Sequence, residues 1–383
     1  MRSRERAVER VVIVGAGPCG LALARQLKHQ RGVDALVLDR AAGPASSWRQ
    51  RYDGFRLNTC GYWSHLPGQR MPRRHGRWPR RDDMVDYFDD YVARQGLRLR
   101  LNATVTRLDR YPRGWRVTTD HEILTATTVV VATGNYHTPK LPRWPGMEQF
   151  TGQLVHSADY RSASSFLGRD VLVVGSGNSA TDIVLQLTDG VASRVRMAVR
   201  TPPHLVPRAV AGIPVDAFSD VFVHLPVAVL DRAAALMRKV WLGDLSAQGL
   251  PAPRQGIYSA LLEDRRIPTL GDALVPKVED GSIEVVASVE AFSGDGVVLS
   301  DGTVLRPDVV IAATGYEKGL DAMVGHLGVL DRDGGPLTNG IPSAAEGLWF
   351  AGYVEPLIGP LRSFRRQASG LAGDLAAYLA AAD

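Results

Sequence analysis

The order of hydrophobic and polar positions near the start of the chain predicts a strand, a glycine-rich turn, a helix and a second strand. The run VVIV is apolar and β-branched, which is typical of a buried parallel strand. Gly15, Gly17 and Gly20 follow in the spacing Gly-x-Gly-x-x-Gly at the entrance to a helical segment. The next strand, ALVLD, ends at Asp39. Elements in this order predict an α/β unit that binds a dinucleotide.

The residues of this first turn have separate expected roles. Gly15 permits the tight turn, Gly17 lets the backbone approach a pyrophosphate, and Gly20 lets the helix pack on the strand. The N-terminus of the helix then holds the phosphates. A carboxylate at Asp39 can accept hydrogen bonds from ribose hydroxyls, so we expect a dinucleotide with free ribose hydroxyls. Further contacts predicted for this half of the site are Pro18, Arg40 and Trp48.

The same pattern recurs in DVLVVGSGNSATDIVLQL, where Gly175, Gly177 and Ala180 give Gly-x-Gly-x-x-Ala before a helix. Its second strand, VRMAV, is followed by Arg200, at the position equivalent to Asp39. A guanidinium can bind a ribose 2′-phosphate through two hydrogen bonds, so this turn should prefer NADPH. An exposed strand-end arginine without a ligand is the alternative. The predicted contacts here also include Asn178 and Ser179.

Two later strands end in the same sequence, Ala-Thr-Gly. A turn of this sequence brings the backbone close to a bound cofactor. The first gives Thr133 and Gly134, and the second gives Thr314, Gly315 and Tyr316. Because one precedes and one follows the second glycine turn, we predict that the first domain is split around the second. A last strand containing Gly352 and a helix beginning near residue 362 would complete the first domain.

Composition and charge narrow the class of protein. A chain of 383 residues, with 45% hydrophobic and 22% charged residues, suits a folded protein of two or three domains. Its net charge of +5 is modest, and no nucleic-acid-binding module accompanies it, so we predict no nucleic-acid partner. Two cysteines, Cys19 and Cys60, cannot form a disulfide framework, which favours a reducing cytoplasm. No cluster of metal ligands is visible, and we predict no metal site.

Two segments outside the nucleotide pattern are predicted to be helical. Asp82 is a candidate N-cap for a helix of about a dozen residues that ends near Gly96. The most apolar stretch of the chain begins near residue 221 and is interrupted by Asp231, Arg232, Arg238 and Lys239. We interpret it as amphipathic helices that cover a core or a pocket, with membrane contact as the alternative. No run of about 18 uncharged apolar residues occurs, so no stable membrane insertion is expected.

The loop between the first helix and Asp82 holds aromatic residues, a polar RLNTC segment and a run of arginines. The arginines from Arg70 to Arg81 indicate either a solvated basic loop or a surface that steers phosphates. Asn58 is the polar residue of most interest, because an amide beside a flavin can hydrogen-bond the ring. A loop-capping asparagine is the equally weighted alternative.

The motifs GAGPCG, ATGNY, FTGQLVHSADY, GSGNSA, VRTPPHLVPR and AATGYE, in this order, resemble the flavin-containing monooxygenases, which are class B flavoprotein monooxygenases. The most specific of these is Phe-x-Gly-x-x-x-His-x-x-x-Tyr, formed by Phe150, Gly152, His156 and Tyr160. The resemblance covers nearly the whole chain and is greatest to the bacterial and plant YUCCA-type branch. The Asn-x-x-Lys-Glu context of mammalian-type members is not present around Asn58.

The resemblance implies an α/β fold with two Rossmann-like domains, one for FAD and one for NADPH, the second inserted into the first. The expected boundaries are 1–163 and 306–383 for the FAD domain and 164–305 for the NADPH domain, with a helical insertion at about 205–265. It also implies FAD and NADPH as cofactors, and O2 and a small molecule as substrates. A homodimer is left open. Asn58 and His156 are the candidate catalytic residues, although a linker-holding role for His156 is favoured.

The implied reaction is formation of a flavin 4a-(hydro)peroxide that oxygenates a soft nucleophile at nitrogen or sulfur, as in bacterial secondary metabolism. Related Baeyer–Villiger enzymes usually end the fingerprint in Trp, whereas this chain has Tyr160, which favours heteroatom oxygenation. Oxidation of a carbonyl or 2-oxo acid, Baeyer–Villiger or YUCCA-like, is the alternative. An NADPH oxidase or a redox module without organic substrate is another. A disulfide reductase is disfavoured because Cys19 and Cys60 do not form a Cys-x-x-Cys pair.

Overall fold

The computed structural model describes residues 8–112, 114–218, 224–354 and 359–382. The chain forms two compact units, each built from more than one segment. Unit 1 contains residues up to 51 together with 59–138 and the part of the chain from 316 onward. Unit 2 contains residues 52–58 and 139–315.

Strands and helices alternate along much of the chain. In chain order the strands are β1 (Glu9–Val14), β2 (Leu36–Leu38), β3 (Arg98–Arg100), β4 (Val105–Tyr111), β5 (Gly114–Thr119), β6 (Ile123–Val131), β7 (Thr138–Pro139), β8 (Gln153–His156), β9 (Asp170–Val174), β10 (Arg194–Ala198), β11 (Leu205–Val206), β12 (Ala209–Val210), β13 (Ile213–Pro214), β14 (Thr269–Leu270), β15 (Glu284–Val286), β16 (Val289–Ser293), β17 (Gly296–Leu299), β18 (Val304–Leu305), β19 (Val309–Ala312), β20 (Tyr316–Glu317) and β21 (Leu348–Phe350). The described α-helices are α1 (Pro18–Arg31), α2 (Ser46–Arg49), α3 (Arg81–Gln95), α4 (Asn178–Thr188), α5 (Val227–Leu242), α6 (Ile257–Glu263), α7 (Leu274–Glu279), α8 (Asp321–Val324) and α9 (Pro360–Ala382). Short 3₁₀ helices lie at Arg73–His75, Met147–Gln149, Ala163–Phe166, Val215–Phe218, Ser246–Gln248 and Gly325–Leu327.

The main sheet of unit 1 has the order β3-β2-β1-β6-β5-β4. Strands β3, β2, β1 and β6 are parallel, and β21 is parallel to β6 along its last residues. The antiparallel strands β5 and β4 extend the sheet from the first half of β6. Helices α1 and α9 pack against each other. The carboxyl ends of β1, β2, β6 and β21 therefore share one edge of this sheet, which is where open α/β sheets bind ligands.

The main sheet of unit 2 has the order β15-β10-β9-β19-β8 and is parallel throughout. The residues of β9 and β19 are almost fully buried, as the continuous apolar runs predicted. Three smaller sheets accompany it, formed by β11-β14, β12-β13 and β16-β17-β18. Unit 2 is thus a second Rossmann-like unit, and its central pair β10-β9 corresponds to β2-β1 of unit 1.

The assignment of the second Ala-Thr-Gly strand to the first domain is wrong. Strand β19 pairs with β9 and β8 in the sheet of unit 2, and residues 139–163, predicted to belong to the first domain, also lie in unit 2. The physical reason is that each unit needs a third parallel strand beside its glycine turn. β6 fills this place in unit 1 and β19 fills it in unit 2, and both carry the same Ala-Thr-Gly text. The assignment of the two cofactors to these units stays a prediction at this point.

The N-cap predicted at Asp82 is wrong, because the N-cap of this helix is Arg80, and the predicted helical insertion is only partly helical. Helix α3 runs from Arg81 to Gln95, and the carboxylate of Asp83, not that of Asp82, accepts the N–H of Arg80 at 2.8 Å. The predicted insertion at 205–265 contains helices α5 and α6, but it also contains the β12-β13 hairpin. Residues 219–223 of that prediction lie outside the described residues.

Candidate cofactor site

The first glycine turn cannot accept larger residues at two positions. Gly15 has a φ of +115°, and a Cβ there would lie 2.5 Å from the carbonyl oxygen of Ala132 at the end of β6. A Cβ on Gly20 would lie 2.0 Å from the carbonyl oxygen of Gly15. The turn itself is fixed by the N–H of Gly15, which donates to Leu38 at 2.7 Å. These contacts explain why glycine is required for the turn and for the packing of α1.

The N-terminus of α1 is built to receive an anion. Gly17 is the N-cap and supplies no side-chain hydrogen bond, and Pro18 occupies the first position of the helix. A Cβ on Gly17 would meet nothing within 4 Å, so space is open where a pyrophosphate would approach the backbone. Uncapped N–H groups and the helix dipole together stabilise negative charge. The predicted phosphate-binding turn of a dinucleotide therefore fits this geometry.

The other predicted contacts of unit 1 lie at the ends of its strands. The Asp39 carboxylate accepts the N–H groups of Ala16 at 2.7 Å and Ala41 at 2.9 Å, which orients it next to the turn. Arg40 is exposed, and its guanidinium donates to the carbonyl of His137 at 3.3 Å. Trp48 lies on α2, with its ring 5.8 Å from that of Phe88. Asp39 is in direct contact with the glycine turn through the N–H of Ala16.

The second glycine turn repeats the geometry of the first. Gly175 has a φ of +134°, and a Cβ there would lie 2.4 Å from the carbonyl oxygen of Ala313 at the end of β19. Its N–H donates to Ala198 at 3.0 Å. Gly177 is the N-cap of α4 without a side-chain hydrogen bond, and space around its Cβ position is open. The second turn therefore has the same construction as the first, and the predicted phosphate-binding role fits its geometry.

The side chains around the second turn divide into structural and available groups. The Asn178 amide donates to the carbonyl of Pro268 and accepts the N–H of Leu270, each at 3.0 Å, so it anchors β14. Ser179 is half-buried on the first turn of α4. Arg200 is exposed and has no hydrogen-bond or ion-pair partner among the described residues. Its neighbour in the strand, Arg196, is buried and paired with Asp170 at 2.6 Å. Arg200 is the guanidinium left available at this turn.

The two Thr-Gly turns are held by different groups. In unit 1 the hydroxyl of Thr133 is 2.8 Å from the buried hydroxyl of Tyr353, and Gly134 has a φ of +81°. Burial raises the pKa of Tyr353. In unit 2 the hydroxyl of Thr314 donates to the carbonyl of Lys140 at 2.5 Å, and Gly315 has a φ of +89°. Each turn is thus fixed next to its own glycine turn.

The last two predicted contact residues, Tyr316 and Gly352, each pack against a neighbouring side chain. The ring of Tyr316 stands edge-on to that of Tyr136 at 5.8 Å within unit 1. A Cβ on Gly352 would lie 3.0 Å from the Cβ of Cys19 in the first turn, and its N–H donates to the side chain of Gln367 at 2.9 Å. Sequence reasoning missed Tyr353 and Gln367. Tyr353 could have been predicted from its position directly after Gly352. Nothing in the sequence of α9 distinguishes Gln367 from its neighbours.

The fingerprint residues fix the path of the chain into unit 2. Phe150 packs on the ring of Phe292 at 5.1 Å, and a Cβ on Gly152 would lie 2.5 Å from the Phe150 ring. Tyr160 is buried, stacks on Phe166 at 5.7 Å and donates its hydroxyl to Gln186 of α4 at 3.1 Å. Both aromatic residues of the fingerprint are therefore packing residues of unit 2.

The histidine of the fingerprint has both ring nitrogens engaged by backbone. His156 Nδ1 accepts the N–H of Ala158 at 3.0 Å, so Nε2 carries the proton and donates to the carbonyl of Gly315 at 3.1 Å. Burial lowers the pKa of His156, which the hydrogen bond to Gly315 and the charge of Asp159 partly oppose. His156 thus ties the end of β8 to the second Thr-Gly turn. This geometry favours the linker-holding role over proton transfer.

Asn58 has the opposite character. Its side-chain oxygen Oδ1 is buried, and it has no hydrogen-bond partner among the described residues. A buried amide oxygen without a donor costs free energy unless a ligand or water supplies one. A flavin ring N–H is a donor of the required kind. The catalytic role predicted for Asn58 stays a prediction, and this atom fits it.

Within the described ranges, no group of three or more His, Cys, Asp or Glu side chains is arranged to hold a metal ion. Within the same ranges, no helix combines the length and the apolar character needed to cross a bilayer.

Comparisons with known proteins show which family this chain belongs to. Residues 12–209 match the model of the pyridine nucleotide-disulphide oxidoreductase family. The chain is 35% identical over 332 residues to indole-3-pyruvate monooxygenase YUCCA1 of Oryza sativa subsp. japonica, covering 85% of this chain and 81% of that protein. It is 33% identical over 382 residues to indole-3-pyruvate monooxygenase YUCCA8 of Oryza sativa subsp. indica, covering 94% and 90%. The chain belongs to the flavin-containing monooxygenase family.

Solved structures of flavin monooxygenases share the fold. A flavin-containing monooxygenase from Stenotrophomonas maltophilia superposes with a TM-score of 0.72 at 23% identity, covering 95% of this chain and 98% of that one. Cyclohexanone monooxygenase from Rhodococcus sp. Phi1, bound to NADP+, gives a TM-score of 0.72 at 20% identity, covering 97% and 84%. The two Rossmann-like units, the enzymatic class and the YUCCA-type resemblance are confirmed. This flavin-containing monooxygenase carries out flavin-dependent oxygenation, and its family uses FAD and NADPH.

Proposed function

We propose that the glycine turn of unit 1 binds FAD and that of unit 2 binds NADPH. The observation that carries this assignment is the contrast between two side chains. The Asp39 carboxylate is oriented beside the first turn, whereas Arg200, beside the second, is exposed and has no partner among the described residues. A carboxylate accepts ribose hydroxyls and repels a 2′-phosphate, whereas a guanidinium binds it. The two turns are otherwise built alike.

The chain's own residues then bind and orient the cofactors. FAD and NADPH, when bound, supply hydride transfer and the activation of oxygen. The N-termini of α1 and α4 hold the pyrophosphates, and Thr133, Gly134, Thr314 and Gly315 keep backbone close to each ligand. Asn58 Oδ1, which is buried and has no partner among the described residues, would accept a hydrogen bond from a bound ligand. His156 positions the Gly315 turn through its Nε2–H and does not transfer a proton.

For the oxygen acceptor we propose first the carbonyl carbon of a small 2-oxo acid. The curated relatives quoted above are named indole-3-pyruvate monooxygenases, at 33% and 35% identity. The opposing argument, that Tyr160 in place of Trp favours heteroatom oxygenation, weakens because Tyr160 is buried against Phe166 and Gln186. A packing residue carries little information about the substrate.

Oxygenation of an amine nitrogen or a sulfide is the second candidate. It needs the same cofactors and no further acid–base residues, which agrees with a site whose histidine is engaged by backbone. A disulfide reductase receives no support from the cysteines, which are both buried and do not form a Cys-x-x-Cys pair. Burial raises the pKa of Cys19 to about 12, which keeps it protonated and unreactive. The cytoplasmic location and the homodimer stay predictions.

A product screen tests the proposal. The purified holoenzyme is incubated with NADPH and O2 and with one of four acceptors: an aromatic 2-oxo acid, a thioether, a tertiary amine or a cyclic ketone. We expect the 2-oxo acid to lose CO2 and to give the carboxylic acid that is one carbon shorter, in proportion to the NADPH consumed. Sulfoxide or amine oxide as the main product would select the second candidate. If the amount of hydrogen peroxide formed equals the amount of NADPH consumed with every acceptor, the protein is an NADPH oxidase and the proposal is wrong.

A further inference from the structure

Among the described residues, the contacts that hold helix α5 in unit 2 lie on one side of the helix. Leu230 and Leu242 are buried. The Asp231 carboxylate accepts the N–H of Tyr258 at 2.7 Å and the hydroxyl of Ser259 at 2.6 Å, at the start of α6. These contacts set the rotation of α5 about its axis. They determine which residues the helix presents to solvent.

The outward side of α5 is apolar. Its exposed residues recur at spacings of four, seven, eight and eleven from the first, which places them along one side of a helix. Leu236 is 66% exposed and Val240 is 81% exposed, large fractions for side chains of this type. We call the following five residues the apolar stripe: Val229, Ala233, Leu236, Met237 and Val240.

Cations border the apolar stripe. Arg232 and Lys239 are seven residues apart, so they lie one above the other along one edge of the stripe. Both are exposed, and neither has a hydrogen-bond or ion-pair partner among the described residues. Asp231 is the acidic residue of α5, and it faces inward toward α6. The outward side of the helix therefore carries apolar and positive groups but no negative one.

We propose that α5 docks this protein on the surface of an anionic lipid bilayer. The helix of 16 residues is about 24 Å long and would lie in the plane of the interface, with the apolar stripe at the boundary of headgroups and acyl chains. Arg232 and Lys239 would contact lipid phosphates. The net charge of +5 adds a general attraction to such a surface.

A second copy of the chain fits this surface less well. A two-fold interface would bring Arg232 and Lys239 near the same cations of the partner, which costs free energy. The stripe offers about 240 Å² if a strip about 10 Å wide is taken along the helix, against about 800 Å² per partner in a stable dimer. In an anionic bilayer the headgroup phosphates pair with the cations, and the acyl chains below them accept the apolar groups.

Co-sedimentation with lipid vesicles tests the docking. The holoenzyme is mixed at low ionic strength with vesicles of phosphatidylcholine alone or of phosphatidylcholine with phosphatidylglycerol. We expect binding to the anionic vesicles and little to the neutral ones. Leu236→Gln with Val240→Gln should lower the partition coefficient by about tenfold or more. Arg232→Gln with Lys239→Gln should lower it by about fivefold for each charge removed.

Matched variants separate the helix from the rest of the surface. Leu167 and Leu337 are 71% and 62% exposed and lie outside α5, so Leu167→Gln with Leu337→Gln should leave binding unchanged. Arg73→Gln with Arg74→Gln removes the same charge from another exposed segment and should have little effect. Flavin content and thermal unfolding confirm that each variant is folded.

Several outcomes would overturn the proposal. One is absence of wild-type binding to the anionic vesicles at low salt. Another is an equal loss of binding in the α5 charge variant and the Arg73 and Arg74 variant, which would mean attraction by net charge alone. A third is self-association in sedimentation velocity without lipid that the Leu236 and Val240 variant abolishes, because the stripe would then bind a second copy.

Discussion

The glycine turns after β1 and β9 have the same backbone construction and different surroundings. Gly15 and Gly175 each donate to the strand on one side, and each leaves no room for a Cβ against the strand on the other, at 2.5 Å and 2.4 Å. The third position differs. Gly20 has no space for a methyl group, whereas Ala180 carries one and is buried. Helix α1 is therefore seated more tightly on its strand than α4.

The residues that follow the second strand of each unit differ more. Asp39 is tied to two backbone N–H groups beside the first turn, and Arg200 projects into solvent beside the second. A ligand at the first turn meets a preorganised acceptor. A ligand at the second turn has to order a flexible cation, which costs side-chain entropy. Under the proposed assignment, one motif serves two ligands because the charge at this position is reversed.

The largest effect is expected at the third position of the turns. Gly20→Ala places a methyl group 2.0 Å from a backbone oxygen, so it should destabilise the protein by about 3 kcal/mol or more. Flavin content and thermal unfolding measure this. Ala180→Gly, the reverse change at the second turn, should cost about 1 to 2 kcal/mol through helix propensity and the loss of one buried methyl group. Equal losses in the two variants would remove the proposed difference in packing.

A smaller effect is expected for the anchored carboxylate. Asp39→Asn replaces one acceptor oxygen by an N–H₂ group that faces a backbone N–H, which should cost about 2 to 3 kcal/mol. The loss should show as release of flavin on dilution, measured by fluorescence. Asp34→Asn removes an exposed carboxylate from the same unit and should change little. Retention of flavin by the Asp39 variant would argue against its role at the ribose.

The exposed cation of the second turn gives the next test. Arg200→Ala should weaken NADPH binding by about 1 to 3 kcal/mol and leave NADH nearly unaffected, because only NADPH carries the 2′-phosphate. Steady-state KM values and equilibrium titration measure both. Arg169 is also exposed in unit 2, but it precedes β9 at the opposite end of the sheet. Arg169→Ala should leave both nucleotides unaffected, and equal losses for NADPH and NADH in the Arg200 variant would indicate a folding defect.

The smallest effect is expected at the clamp on the second Thr-Gly turn. His156→Gln should cost about 1 kcal/mol at neutral pH, because Gln cannot keep both hydrogen bonds. Burial lowers the folded pKa, so as the pH falls below the ordinary 6.5 the unfolded wild-type chain takes up the proton first. The stability advantage of the wild type should therefore shrink at lower pH.

The pH dependence of activity distinguishes the two roles of His156. If His156 positions the turn, the variant keeps the shape of the pH–rate profile and only its rate falls. Loss of one limb of that profile would show that His156 transfers a proton. His121→Gln changes an exposed histidine and should alter neither stability nor rate.

Much of the fold was predictable because its signals are local. The turns at Gly15 and Gly175 require glycine for contacts with adjacent strands, and the apolar runs of β1 and β9 mark buried parallel strands. The candidate anion sites at the N-termini of α1 and α4 follow from the same few residues. By contrast, the position of Asn178 in the glycine-turn motif predicts a cofactor contact. In the structure its side chain holds β14, about 90 residues away along the chain.

The sequence by itself determined that there are two nucleotide-binding units and that Asp39 and Arg200 follow equivalent strands, since spacing along the chain expresses both. Only the tertiary structure decided that the second Ala-Thr-Gly strand belongs to unit 2, that both nitrogens of His156 are engaged, and that the apolar stripe of α5 faces solvent. β6 and β19 end in the same Ala-Thr-Gly sequence, so the local pattern does not say which glycine turn each strand lies beside. The pairing of β19 with β9 and β8 decides this, because pairing joins segments that are distant along the chain.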